Sequence, residues 1–151
     1  MKSNYNYNFN GKVTIVTGAS RGIGFEVAKS FLKHGSNLVI CSSNLKRIKN
    51  SFKKLKKIKK NEQKIFYLKT DVSSQKQVKK LINFTIKKFK KIDILVNNAA
   101  INFSEENKNL TINKYNKLMN INLKAPFIIT KAISKKMIKH KYGRIINISS
   151  I

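Results

Sequence analysis

Gly18, Gly22 and Gly24 are the residues whose spacing speaks most directly of chemistry. They stand in Thr17-Gly18-Ala19-Ser20-Arg21-Gly22-Ile23-Gly24, between an apolar run (Val13, Ile15, Val16) and a helical pattern (Ile23, Val27, Phe31, Leu32). A strand that passes through a glycine-rich turn into a helix presents backbone N–H groups that have no partner within the helix, and these receive a phosphate. Gly18 permits the tight turn, Gly22 permits close approach of a pyrophosphate, and Gly24 lets the helix pack near the strand. The positive end of the helix dipole adds a favourable contribution of about 0.3–1 kcal/mol. Ser20, Arg21 and Ile23 complete the turn and are candidate contacts to a dinucleotide.

Further polar residues follow other apolar runs: Asp71-Val72, Asn97-Asn98-Ala99-Ala100 and Ser149-Ser150. The elements that must position them alternate in type. Strands are predicted over Lys12–Thr17, Asn37–Cys41, Lys64–Thr70, Ile92–Asn97 and Arg144–Ile148. Helices are predicted over Ile23–His34, closed by Gly35, and over the run of Leu45, Ile48, Phe52, Leu55 and Ile58. A third follows a cap at Ser73 or Ser74, and a long one runs from Thr111 to about His140 with an interruption at Pro126. Such alternation predicts a parallel sheet with right-handed crossovers and helices on both faces. Ligands in these sheets bind beyond the carboxyl ends of the strands, so the polar residues should converge on one edge.

Composition sets the bounds. The 151 residues are 41% hydrophobic, enough for one domain with a core. No apolar run is long enough to span a bilayer, and residues 1–10 hold no signal-peptide core. Cys41 is the single cysteine, which fits a reducing cytoplasm and a thiol packed on a strand. His34 and His140 stand alone without metal-ligand spacing, so no metal is expected. The net charge is +27, from 33 Lys and Arg against 6 Asp and Glu. Nearly all of the basic residues are Lys, spread over several helices, and Asn and Ile are abundant beside them. A/T-rich coding accounts for this better than a dedicated nucleic-acid interface, which would use more Arg. No specific nucleic-acid partner and no membrane partner is expected.

In order and spacing, these blocks resemble the short-chain dehydrogenase/reductase family over essentially the whole chain. The turn reads Gly-x-x-x-Gly-x-Gly, as in that family. Asp71-Val72 resembles its adenine contact, and Asn97-Asn98-Ala99-Ala100 its Asn-Asn-Ala-Gly element, with Ala100 in place of Gly. Asn122, within Asn120-Ile121-Asn122-Leu123, matches the active-site Asn. Arg144-Ile145-Ile146-Asn147-Ile148-Ser149-Ser150 matches the strand that leads to the catalytic Ser, which by register is Ser150. The resemblance implies a Rossmann-like doubly wound parallel sheet and a nicotinamide-dependent oxidoreductase acting on a small carbonyl/alcohol substrate, of the 3-oxoacyl-carrier-protein reductase or sugar/polyol dehydrogenase kind. It also implies a homodimer or homotetramer of the full-length protein.

One departure is large. The family's Tyr-x-x-x-Lys pair is absent: Tyr5, Tyr7, Tyr67, Tyr115 and Tyr142 all lack a Lys four residues on. The expectation is that residues 1–151 form one NAD(P)-binding domain, the N-terminal part of a longer one, incomplete at its C-terminal side with five of the expected strands. An exposed fifth strand would then favour association. The alternative is a nucleotide-binding module without catalysis. Pro126, four residues after Asn122, has no N–H, so in a helix the Asn122 carbonyl would be free to accept a water.

The coenzyme is partly legible. An acidic residue at the end of the second strand would grip a ribose 2′-OH and repel a 2′-phosphate. Here Ser42 stands there, followed by Ser43 and Asn44. Arg21 resembles the basic residue of the family's NADP-preferring members, with Lys46 and Arg47 nearby. NADP(H) is favoured over NAD(H).

Overall fold

The computed structural model describes residues 7–60, 62–103 and 110–149. Its centre is β1 (Val13–Thr17), a strand buried along its whole length. Burial on both faces follows from its near-continuous apolar sequence, the signature of an inner parallel strand. Around it lie β2 (Asn37–Ser42), β3 (Ile65–Lys69), β4 (Ile94–Asn97) and β5 (Arg144–Asn147), all parallel, in the order β3-β2-β1-β4-β5. The chain winds outward from β1 through β2 to β3, then crosses back to β4 on the other side of β1. The strand order therefore reverses between β1 and β4, and a crevice opens above that point.

Strand periodicity distributes the core. Ile15, Val39, Cys41 and Leu95 pack with α3 (Gln75–Phe89) and α5 (Ala125–Lys139). Val16, Leu38, Ile40, Ile94 and Val96 pack with α1 (Gly22–Lys33) and α2 (Leu45–Lys56) on the opposite face. The three-layer α/β architecture is thus the one the alternation predicts. Strand and helix limits differ from the expected ones by one or two residues. Lys12, Ile92 and Ile148 lie just outside β1, β4 and β5. Of the two serines considered as caps for α3, it is Ser74 that accepts the Gln77 N–H.

The long C-terminal helical region corrects one expectation. α4 (Ile112–Met119), capped by Thr111, passes without a break into a π-helical segment, Asn120–Lys124, and then into α5. Within it the Ala125 N–H reaches back five residues to the Asn120 carbonyl. The irregularity therefore precedes Pro126 instead of falling on it. Pro126 sits in the first turn of α5, where a missing N–H breaks no α-helical bond of that helix. None of the α4 side chains is buried, whereas Ala125, Ile129, Ile133 and Met137 form the buried stripe of α5.

Cys41 lies at the centre of this packing, wholly buried on β2. Burial pushes its thiol from 9.0 up to about 12, against smaller opposing effects from Thr70 and the Gly18 backbone. A raised pKa means the folded state holds the proton that the unfolded chain releases. This contribution is complete below about pH 9 and is lost as pH rises toward about 12. Urea titrations at pH 8 and pH 10.5 should therefore show a larger loss of stability in the parent chain than in Cys41→Ala.

Candidate functional site

A cleft of about 480 Å³ opens at the carboxyl ends of the strands. Its first wall is the β1–α1 turn, where Gly18, Ser20, Arg21, Gly22, Ile23 and Gly24 all line the space. Gly18 has φ +66° and Gly22 φ +54°, in the left-handed region that favours glycine. The two differ in surroundings. A Cβ on Gly18 would lie 2.8 Å from Cα of Ala99, while one on Gly22 would meet nothing within 4 Å. Gly18 thus allows the turn to touch the β4 exit, and Gly22 presents bare backbone to open space. At Gly24 a Cβ would collide with the Asn98 amide and the Gly18 carbonyl, so this glycine brings the helix against the strand.

The start of α1 is unlike those of its neighbours. Asn44, Ser74 and Thr111 each cap their helix with a side chain. The N-cap of α1 is Arg21, which makes no such bond, and the first turn carries no acid. Gly22, Ile23 and Gly24 of that turn line the cleft, and no side chain caps them.

The second wall is the β4 exit, and Thr17 fixes it. The Thr17 hydroxyl donates to the Val96 carbonyl at 3.3 Å and accepts the N–H groups of Asn98 and Ala99, both at 3.0 Å. The Asn98 amide nitrogen returns to the carbonyls of Thr17 at 3.0 Å and Gly18 at 3.4 Å. Asn98, Ala99 and Ala100 all line the cleft. Ala100 is absent from the positive-φ residues, so alanine fits where the resembling element carries glycine. Thr17 was not singled out from sequence; its only signal is a hydroxyl at the end of an apolar strand, just before the turn.

The third wall comes from β2 and β3. Ser42 donates to the Ser20 hydroxyl at 3.1 Å and accepts the Asn44 N–H at 3.3 Å. Ser51, from α2, donates to the Ser20 carbonyl at 2.9 Å and ties that helix to the glycine turn. Arg47 joins Arg21 in the lining, with Ser43 and Asn44 between them; Lys46 is not part of it. Asp71 and Val72 lie across the cleft. The Asp71 carboxylate is already engaged, accepting the Ser73 N–H at 2.9 Å and its hydroxyl at 2.7 Å. The cleft is therefore cationic, with two guanidinium groups against one carboxylate.

Asn122 is in the π-helical segment and exposed. Its side chain lies outside the cleft lining but grips the neighbouring loop: Oδ1 accepts the Ile101 N–H at 3.0 Å, and Nδ2 donates to the Ile101 carbonyl at 2.8 Å. This pair holds Ile101 beside Ile121 as an apolar wall, a feature that residue types alone did not reveal. Ser150 lies outside the described residues. Among the described residues no group of His, Cys, Asp and Glu could hold a metal ion, and no helix is long and apolar enough to cross a membrane.

A family model described as short chain dehydrogenase matches residues 12–151. The chain belongs to the short-chain dehydrogenase family. Among its relatives, the 3-oxoacyl-acyl-carrier-protein reductase FabG of Rickettsia conorii is 38% identical over 141 residues, covering 93% of this chain and 54% of that protein. The peroxisomal 2,4-dienoyl-CoA reductase of Danio rerio is 34% identical over 139 residues, covering 92% and 46%. This short-chain dehydrogenase chain spans about half the length of the curated relatives it matches. Among solved structures, it resembles a metagenomic short-chain oxidoreductase in complex with NADP (TM-score 0.86, 28% identity, 95% of this chain and 64% of that one). It equally resembles NAD+-bound xylitol dehydrogenase (TM-score 0.87, 28% identity, 94% and 54%).

Replacing Thr17 by Val keeps shape but strands the Asn98 and Ala99 N–H groups. The expected cost is about 1–3 kcal/mol in denaturant unfolding.

Proposed function

We propose that this chain is the nucleotide-binding part of an NADP(H)-dependent oxidoreductase that interconverts a carbonyl and an alcohol. The observation that carries the reading is the α1 N-terminus, uncapped by any side chain and facing the cleft beside the open side of Gly22. A pyrophosphate fits there, because free amides and the helix dipole both favour an anion. Arg21 and Arg47, with Ser42 where a carboxylate would repel, suit a 2′-phosphate. Asp71, Val72, Asn98, Ala99 and Ala100 would line the remainder of the nucleotide. The bound nicotinamide supplies hydride chemistry.

The residues of this chain would handle position and protons. Ser150 would hold the substrate oxygen by a hydrogen bond. The Asn122 carbonyl would accept a water, within the π-helical segment that precedes Pro126. The proton-exchanging Tyr and Lys that the family resemblance implies are not among residues 1–151, and we place them in the remainder of a longer protein. Both 3-oxoacyl-carrier-protein reduction and polyol oxidation suit such a site. The second reading is a nucleotide-binding module without turnover; coenzyme binding with no reductase or dehydrogenase activity in the full-length protein would establish it.

The single domain would reside in a reducing compartment such as the cytoplasm, consistent with the free thiol of Cys41. Ile112, Leu123, Phe127 and Ile138 expose apolar surface along α4, the π-helical segment and α5, which suits a homodimer or homotetramer of the full-length protein.

Calorimetric titration should show NADPH binding more tightly than NADH, and binding of neither overturns the reading. Arg21→Ala and Arg47→Ala should each weaken NADPH about tenfold and NADH less than about twofold, the scale of one charge-assisted phosphate contact.

A further inference from the structure

A second polar cluster lies one residue before the cleft floor. Asn97 closes β4 and is only 4% exposed. Its amide nitrogen donates to Oγ1 of Thr130 on α5 at 3.2 Å and to Oδ1 of Asn147 on β5 at 2.9 Å. Both amide protons are thereby used, which fixes the direction of the group. Its main-chain carbonyl accepts the Ile148 N–H at 2.9 Å, and Asn97 and Asn147 face each other in register. One buried side chain thus joins β4, β5 and α5.

The cluster is out of character with its layer. Leu95 on the same face of β4, and Ile129 and Ile133 beside Thr130, are fully aliphatic and buried. The Asn97 carbonyl oxygen Oδ1 is buried and accepts no hydrogen bond among the described residues. A buried amide that bonds side chains of both a neighbouring strand and a helix fixes their relative placement as well as adding stability. The neighbours in sequence connect that placement to the cleft. Asn98 and Ala99 follow directly and form the cleft floor bonded to Thr17, while Asn147 stands two residues before Ser149, on the way to Ser150.

We propose that Asn97 is a positioning residue: through Asn147 and Thr130 it sets where the end of β5 lies against the cleft floor. The proposal rests on the oxidoreductase reading, and its test separates the two. In the full-length enzyme, Asn147→Leu and Thr130→Val each remove one acceptor, whereas Asn147→Asp and Thr130→Ser keep it. The first pair should lose turnover about tenfold or more, with NADPH affinity and KM within about twofold of the parent, as expected when a reacting group is misplaced. The second pair should regain most of it. Amide exchange at Ile148 should rise in the first pair, while that at Val39 on β2 stays slow and certifies the fold.

Unchanged turnover in both Asn147→Leu and Thr130→Val overturns the proposal. So does a loss that Asn147→Asp and Thr130→Ser fail to recover. A parent protein that binds no NADPH marks the different failure, that of the oxidoreductase reading, and takes this inference with it.

Discussion

Three backbone groups share the Thr17 hydroxyl, and the cleft depends on that sharing. Its one proton goes to Val96 and its two lone pairs receive Asn98 and Ala99, so the group is saturated by main chain alone. The end of β1 and the exit of β4 are thereby locked together where the strand order reverses. Only then does the glycine turn have a fixed surface to pack on. Gly18 and Gly24 approach Ala99 and Asn98 so closely that no side chain fits, and the backbone of Gly22 is left facing outward. The cleft beside Gly22 is the space these contacts leave open.

Electrostatics follow the same logic on a larger scale. With 33 basic residues against 6 acidic ones, most cations have no acid to pair with. Among the described residues the ion pairs are Glu26–Lys29 and Asp93–Lys91, both at 3.0 Å. The second is structural, because Asp93 also accepts the Val13 N–H at 2.8 Å and holds β1 against the start of β4. Lysine on every helix says little about a partner. The arginines of the cleft say more, since Arg21 and Arg47 line it together with Ser42 and Ser43.

Much of this was legible in the residues themselves. Alternating apolar runs announced the strands, and parallel topology then forces whatever follows each strand to one edge. That is why Gly18, Ser42, Asp71 and Asn98, far apart in sequence, share a cleft. Most of the unread features depend on distant partners. Thr17 meets Asn98 across 81 positions and Asn97 meets Asn147 across 50, and neither pairing leaves a local trace. The Asn122 grip on Ile101 is of the same kind. The π-helical segment escaped for another reason: proline marks a disturbance in the helical ladder but not on which side of itself the ladder will slip.

The slip at Asn120–Lys124 has a geometric consequence of its own. A π-turn carries one residue more than an α-turn, and one residue turns a helix by about 100°. The buried stripe of Ala125, Ile129, Ile133 and Met137 does not continue upstream of the slip, where no α4 side chain is buried. The π-helical segment stands between a helix that buries no side chain and one that buries a full stripe. A single extra residue thus divides a continuous rod into a piece that builds the interior and a piece left to meet something else.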